Sequence, residues 1–313
     1  MSEAVRQAER GTGGAGGHAF AAELDALKVR VEARLDQLLP AGGEPSLAAR
    51  HSLLAPGKRL RAVLTLLAAR QCAGPGAAFR DEGALDVACA VEMVHTASLV
   101  FDDLPAMDDA DTRRGAPTPH TLYGDDVAIL AGIGLLNGAF GVVAAAQSLG
   151  ASQRVEIVDV LSRAVGWTGL VQGQADDLRG DAGLDAIHYG KTGALFVAAA
   201  LAGAACADAP VSARAPLVTY GRELGFAYQA LDDVVDQVAS PEAAGKTVGR
   251  DEGKRTAALA RSGEARLAAA RDRAVRHLGA ARRAADEACE GAPLGQLAEH
   301  IEAHFARLTA QPD

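Results

Sequence analysis

Aromatic side chains make up only 4% of the 313 residues, with Trp167 the single tryptophan. Single-strand nucleic-acid binders build their stacking platforms from such rings, so the scarcity argues against that class. Basic charge is short as well: 31 Lys and Arg against 40 Asp and Glu leave a formal charge of −9. That balance disfavours binding to phosphate backbones or anionic membranes, and no nucleic-acid partner is expected. Cysteine is limited to Cys72, Cys89, Cys206 and Cys289. None forms a CxxC pair or stands near a histidine at ligand spacing, so neither a zinc site nor a disulfide framework is indicated, and a reducing cytoplasm fits. The first residues, MSEAVRQAERGTGGAGGHAF, lack the apolar stretch of a secretory signal. Their glycine-rich middle reads as a flexible leader over residues 1–20, before one folded domain at 21–313.

Alternating strand patterns of useful length and Asn-Gly hairpin signals are also missing. What is present is helical spacing inside an ordinary globular composition, 49% hydrophobic and 23% charged. Leu24, Leu27, Val31, Leu35 and Leu38 recur at steps of three and four, and Pro40 with Gly42 and Gly43 ends that segment. Val87, Val91 and Val94 repeat the pattern, as do Leu217, Leu224, Leu231, Val235 and Val238, and near the end Leu294, Leu297, Ile301, Phe305 and Leu308. The expectation is an all-α bundle of about ten or more helices. Residues 128–146 carry no charge and are long enough to span a bilayer. With Gly132, Gly134, Gly138 and Gly141 among them and Asp125 and Asp126 just before, they read instead as a buried core helix, without stable membrane insertion. Residues 261–283 hold seven arginines against two acids, which reads as a solvated helix face with intrahelical ion pairs.

Two acidic clusters stand apart. The first runs Phe101-Asp102-Asp103-Leu104-Pro105-Ala106-Met107-Asp108-Asp109-Ala110-Asp111, five carboxylates in ten residues directly after an apolar helix. Pro105 cannot continue a helix, so Asp102 and Asp103 belong at a helix end, with Asp108 brought back by a turn. The second is Asp232-Asp233-Val234-Val235-Asp236. Here Asp232 and Asp236 share a helix face with apolar neighbours, so this is not merely a solvated surface. Like charges so placed call for a cation, and Mg²⁺ characteristically takes one or two carboxylates plus substrate phosphates. Cations complete the pattern. Gly57-Lys58-Arg59-Leu60-Arg61 opens a helix, where N–H groups and positive side chains favour phosphate. Arg113 and Arg114 follow the first cluster, while Lys191-Thr192 and Lys246-Thr247 each pair a cation with a hydroxyl. The combination describes a diphosphate site. The GxxxxGK[ST] spacing of a P-loop is missing.

In these residues the chain resembles the trans-isoprenyl diphosphate synthases, the polyprenyl synthetase family, from about Lys58 to Lys254. The aspartate-rich motifs appear as DDLPAMD and DDVVD, with GQADDL at residues 173–178 and GKTGAL at 190–195 between them. The resemblance implies an all-α isoprenoid synthase fold around a deep cavity, built as a homodimer. It implies that Asp102, Asp103 and Asp108 bind Mg²⁺ from one side and Asp232, with Asp236, from the other, as three ions once substrate is bound. Asp233 and Lys191 join the catalytic set. Arg113, Lys191, Thr192, Gln229, Lys246 and Lys254 are implied to hold the allylic diphosphate (dimethylallyl, geranyl or farnesyl), and Lys58, Arg61, His95 and Arg114 to hold isopentenyl diphosphate. The implied reaction is head-to-tail prenyl transfer.

Product length follows from helix geometry. Ala97 and Ser98 stand five and four residues before Asp102, roughly 6 to 7.5 Å deeper along the same helix. Neither is large enough to floor a cavity, which favours C20 geranylgeranyl diphosphate over C15 farnesyl diphosphate. Two departures from the family pattern stand out: Ile133 occupies a place where an aspartate is common, and residues 246–254 form a segment about two residues short. A class I terpene cyclase normally carries a different second metal motif, and a non-catalytic synthase subunit often loses the aspartates or cations that this chain keeps.

Overall fold

The computed structural model describes residues 15–74, 81–180, 182–238 and 263–309. Among them the order is α1 (Ala15–Leu38), α2 (Glu44–Leu53), α3 (Leu60–Ala73) and α4 (Asp81–Asp102), then a hairpin of β1 (Thr112–Arg113) and β2 (Ala116–Pro117). After it come α5 (Pro119–Tyr123), α6 (Asp125–Ala145), α7 (Ala151–Val165), α8 (Leu170–Arg179) and α9 (Leu184–His188). A π-helical turn at Tyr189–Gly193 leads into α10 (Ala194–Cys206), followed by α11 (Arg214–Val238), α12 (Gly263–Ala288) and α13 (Pro293–Thr309). The all-α expectation holds.

A helix that is apolar on every side has to be surrounded. α10 is such a helix, with nearly every residue from Ala194 to Cys206 buried, and α3, α4, α7 and α11 pack around it. Small residues let the backbones close in. A Cβ on Gly221 or Gly225 of α11 would stand 2.5 Å from the Val197 Cα or 2.7 Å from the Gly193 Cα, so α11 lies directly on α10 and the π-helical turn. α12 runs along α11 on a stripe of Ala270, Ala274, Leu278, Ala281 and Ala285, and its described arginines occupy the remaining faces, Arg282 pairing with Glu299 at 2.7 Å. Gln71 ties α3 to the α12–α13 corner, donating to the Ala285 and Cys289 carbonyls and accepting from the Leu294 N–H. Beside it the Cys289 thiol donates to Cys72 Sγ at 3.1 Å, and all four cysteines are free thiols.

Three expectations need correction. α1 starts at Ala15, ahead of the expected end of the leader, because Phe20 is buried and meets the His300 ring edge-on, which anchors the first turns despite their glycines. A hairpin exists without Asn-Gly: Arg114 and Gly115 both take the positive φ, 53° and 76°, that a tight two-residue turn requires. Residues 128–145 are helical in α6 but buried on one face only. Val127, Ala131, Leu135 and Ala139 pack inward, whereas Ile129, Leu130 and Ile133 are exposed, Ile133 by 52%. By length and composition alone α4, α6 and the segment Leu184–Cys206 are apolar enough to cross a membrane, and the first and last are mostly buried in the bundle.

Candidate active site

α4 ends on Asp102, at the helix pole where backbone carbonyls disfavour negative charge. α3 opens beside Lys58, Arg59 and Arg61, at the pole where N–H groups disfavour positive charge. Each end carries the wrong sign for its own helix, which leaves one wall in need of cations and the other in need of an anion.

The acidic loop is shaped by its own main chain. The Asp108 N–H donates to the Asp102 carbonyl at 2.8 Å, and the Ala110 N–H to the Asp103 carbonyl at 3.1 Å, which returns Asp108 to the helix end. Burial pushes the Asp102 carboxyl up to about 6, with Lys191 opposing the rise and Asp108 and Asp103 adding to it. Burial also raises Asp103, against the pull of Arg113, whose Nε and Nη2 donate to Asp103 Oδ1 at 2.7 and 2.6 Å. Among the described residues no three acids, histidines or cysteines form a ready-made metal cage. Mg²⁺ characteristically takes one or two carboxylates and fills its remaining positions with water and substrate phosphates, and Asp102, Asp103 and Asp108 offer oxygen ligands of that kind.

Facing this wall, the π-helical turn presents Lys191 and Thr192. Its extra backbone residue is a device common at functional sites. It is held by glycine: a Cβ on Gly173 of α8 would stand 2.5 Å from the Gly190 carbonyl carbon and from the Lys191 nitrogen. That close approach lets Asp177 of α8 accept from Lys191 Nζ at 2.7 Å. The buried Thr192 hydroxyl donates to Gln229 Oε1 of α11 at 3.2 Å.

The basic pocket lies across α3, α4 and the hairpin. Arg61 Nη1 donates to His95 Nε2 at 3.2 Å; arginine has no acceptor, so the His95 proton sits on Nδ1. Burial, with Arg61, Arg114, Arg113 and Arg59 nearby, holds the His95 pKa well below its usual value, so the ring is neutral. The Arg61 guanidinium stacks 4.5 Å from the Phe196 ring, and its buried Nε–H has no hydrogen-bond partner. Lys58 Nζ stands 5.8 Å from the Tyr228 ring centre. Arg114 belongs to the same group, its Nη1 lying 3.1 Å from where a Gly57 Cβ would be. Asp232 acts electrostatically on both Arg61 and Tyr228, which places this carboxylate at the edge of the pocket.

Thus Asp102, Asp103, Asp108, Arg113 and Lys191 are brought together, as are Lys58, Arg61, His95 and Arg114. Thr192 and Gln229 join the π-helical turn to α11. Asp233 and Asp236 sit in the last turns of α11, but their side chains lie outside the described residues, as do Lys246 and Lys254 entirely. Ala97 is buried in the main core and Ser98 is half-buried, its hydroxyl donating to the His95 carbonyl at 2.8 Å. Sequence reasoning assigned no role to Glu92, Asp177, Phe196 or Tyr228. Glu92 carried a signal nonetheless: it is the one acid inside the apolar run Cys89-Ala90-Val91-Glu92-Met93-Val94.

An all-α bundle whose acids and cations converge at one end defines a class, helical enzymes that act on diphosphates. The sequence profile described as Polyprenyl synthetase matches residues 46–291, and the chain belongs to this family. It is similar to the geranylgeranyl diphosphate synthase of Pantoea ananas, 46% identical over 235 residues that cover 72% of this chain and 76% of that one. It is 42% identical over 248 residues to the enzyme of the same name from Pseudescherichia vulneris, covering 75% and 77% of the two chains. Among solved structures, the geranyltransferase from Helicobacter pylori complexed with magnesium and isoprenyl diphosphate superposes with a TM-score of 0.78 at 27% identity, over 93% of this chain and 97% of that one. The geranylgeranyl pyrophosphate synthetase from Pyrococcus horikoshii Ot3 gives a TM-score of 0.78 at 26% identity, over 94% and 99%.

Proposed function

We propose that the protein condenses isopentenyl diphosphate with dimethylallyl, geranyl or farnesyl diphosphate, head to tail, and releases C20 geranylgeranyl diphosphate. The observation that carries this reading is the opposition of two charged walls, the Asp102 loop against Lys191 and the Arg61 pocket beside Asp232. The 46% identity to a geranylgeranyl diphosphate synthase supports the product length.

Asp102, Asp103 and Asp108, with Asp232 and Asp236 from α11, would hold Mg²⁺, three ions in the substrate complex. When bound, Mg²⁺ neutralises the allylic diphosphate and makes it a better leaving group. Lys191, Thr192, Gln229 and Arg113 hold that diphosphate and stabilise the charge it gains as its C1–O bond ionises. Lys58, Arg61, Arg114 and the neutral His95 orient isopentenyl diphosphate so that its double bond reaches the allylic C1. The new C–C bond forms, and a proton leaves to the released diphosphate. The buried apolar residues around α4 and α10 keep water from the cation.

Two further assignments belong to the same reading. The exposed apolar face of α6 (Ile129, Leu130, Ile133) pairs with a second copy of the chain to form a homodimer. The four free thiols fit a reducing cytoplasm, where substrate and product are handled without stable membrane insertion. The direct test is incubation with isopentenyl diphosphate, each allylic primer and Mg²⁺, with products separated by length. A dominant C20 product supports the reading; C15 alone points to a farnesyl diphosphate synthase, and no condensation defeats it.

A further inference from the structure

Beneath the basic pocket lies an ion pair that no substrate group needs to touch. Arg59, between Lys58 and the first turn of α3, has a left-handed backbone (φ 51°) and a fully buried side chain. It turns away from solvent into the gap between α1 and α4. There Nε donates to Glu32 at 3.2 Å, Nη1 to Glu92 at 3.4 Å, and Nη2 to the Ala55 carbonyl at 2.7 Å. The last bond closes the loop that carries Gly57 and Lys58. Glu92 is 1% exposed, and its second oxygen, Oε2, has no hydrogen-bond partner. Above Gly57 the guanidinium groups of Arg59 and Arg114 both lie within 3.4 Å of one point, the place of the absent Cβ. Two like charges so near repel strongly in a buried setting. Glu92 is the carboxylate whose field acts on Arg61 and Arg114 alike. A buried carboxylate is costly unless cations and hydrogen bonds around it compensate, and here the compensating cations are Arg59, Arg61 and Arg114.

We propose that Glu92 is a positioning residue for the isopentenyl diphosphate pocket: through Arg59 it fixes the loop bearing Lys58, and its charge holds Arg61 and Arg114 side by side for a diphosphate. The inference rests on the proposed function for what the pocket binds. It makes a prediction opposite to simple electrostatics. If Glu92 only screened the cations, neutralising it would tighten binding of a diphosphate; if it positions them, neutralising it weakens binding.

Steady-state kinetics on the full-length enzyme with Mg²⁺ separate the two. Glu92→Gln is expected to raise KM for isopentenyl diphosphate about tenfold or more, with KM for farnesyl diphosphate and kcat within about threefold. Arg59→Lys, which keeps the charge and loses the fork, is expected to do the same. Glu92→Asp keeps the charge with shorter reach and is expected to fall between, carrying the test should the Gln variant fail to fold. An unchanged KM for isopentenyl diphosphate, a lowered one, or an equal rise for both substrates overturns the proposal. A wild-type enzyme that forms no product defeats the functional reading itself, whereas an active wild type with unmoved KM in the variants defeats only this inference.

Discussion

Lys191 Nζ donates a 2.7 Å hydrogen bond to Asp177 while its charge also pulls down the carboxyl of Asp102, so one ammonium serves two acids on different helices. Asp177 thereby holds the lysine within the field of the acidic wall. Asp177→Asn is expected to loosen Lys191, raising KM for the allylic substrate about tenfold and leaving KM for isopentenyl diphosphate nearly unchanged. Parallel titrations of the two substrates check this.

Asp102→Asn is expected to reduce kcat by roughly 100-fold or more, by analogy with loss of one transition-state stabilising group. Stability moves the other way. The folded pKa of Asp102, about 6, lies above the ordinary carboxyl value because the site desolvates it. The metal-free fold therefore binds this proton more tightly than the unfolded chain, and stability from the group is lost as pH rises towards 6. In chelator the Asn variant is expected to melt at or above wild type at pH 7.5, and the difference to vanish near pH 4. Mg²⁺ competes with that same proton, so the Mg²⁺ concentration for half-maximal rate is expected to climb as pH falls below about 6.

Gly173→Ala places a methyl 2.5 Å from the backbone at Gly190 and Lys191. The π-helical turn has to shift, with an expected stability loss of about 1–3 kcal/mol and a larger fall in turnover. Gly295→Ala is the control. Nothing lies within 4 Å of its Cβ, and up to about 1 kcal/mol of stabilisation is expected from helix propensity alone. Thermal melts alongside rates distinguish the pair.

Ala97→Tyr is expected to shorten the product from C20 towards C15, read by chromatography of the dephosphorylated alcohols. Because Ala97 is 1% exposed, the variant also carries an overpacking cost of about 1–3 kcal/mol. Unchanged C20 output from the folded variant removes Ala97 from the chain-length set.

Leu130→Glu puts a charge on the exposed face of α6. Light scattering is expected to show the dimer converted towards monomer; a wild-type monomer at micromolar concentration would remove the homodimer assignment.

The legible parts of this protein were those that one-dimensional spacing controls. Helix periodicity marked α1, α4, α11 and α13, and Pro105 marked the end of α4 together with the acids gathered there. Missing were features set by through-space fit. Arg114-Gly115 forms a tight turn with an arginine where Asn, Asp or Gly is usual, and the Arg114 guanidinium lies against Gly57. The apolar run of α6 could not disclose from composition that one of its faces stays uncovered. Arg59 read as one more phosphate cation in a basic stretch, and its left-handed backbone sends it instead into the core towards Glu32 and Glu92.

The hydrogen bonds from Asp108 and Ala110 back to the end of α4 give the acidic loop a main-chain framework of its own. An incoming substrate thus meets a socket already cut to shape, with little ordering entropy to lose at each cycle. Chelation should accordingly silence the enzyme while leaving that corner of the fold standing, and adding the ion back should restore activity with no refolding lag.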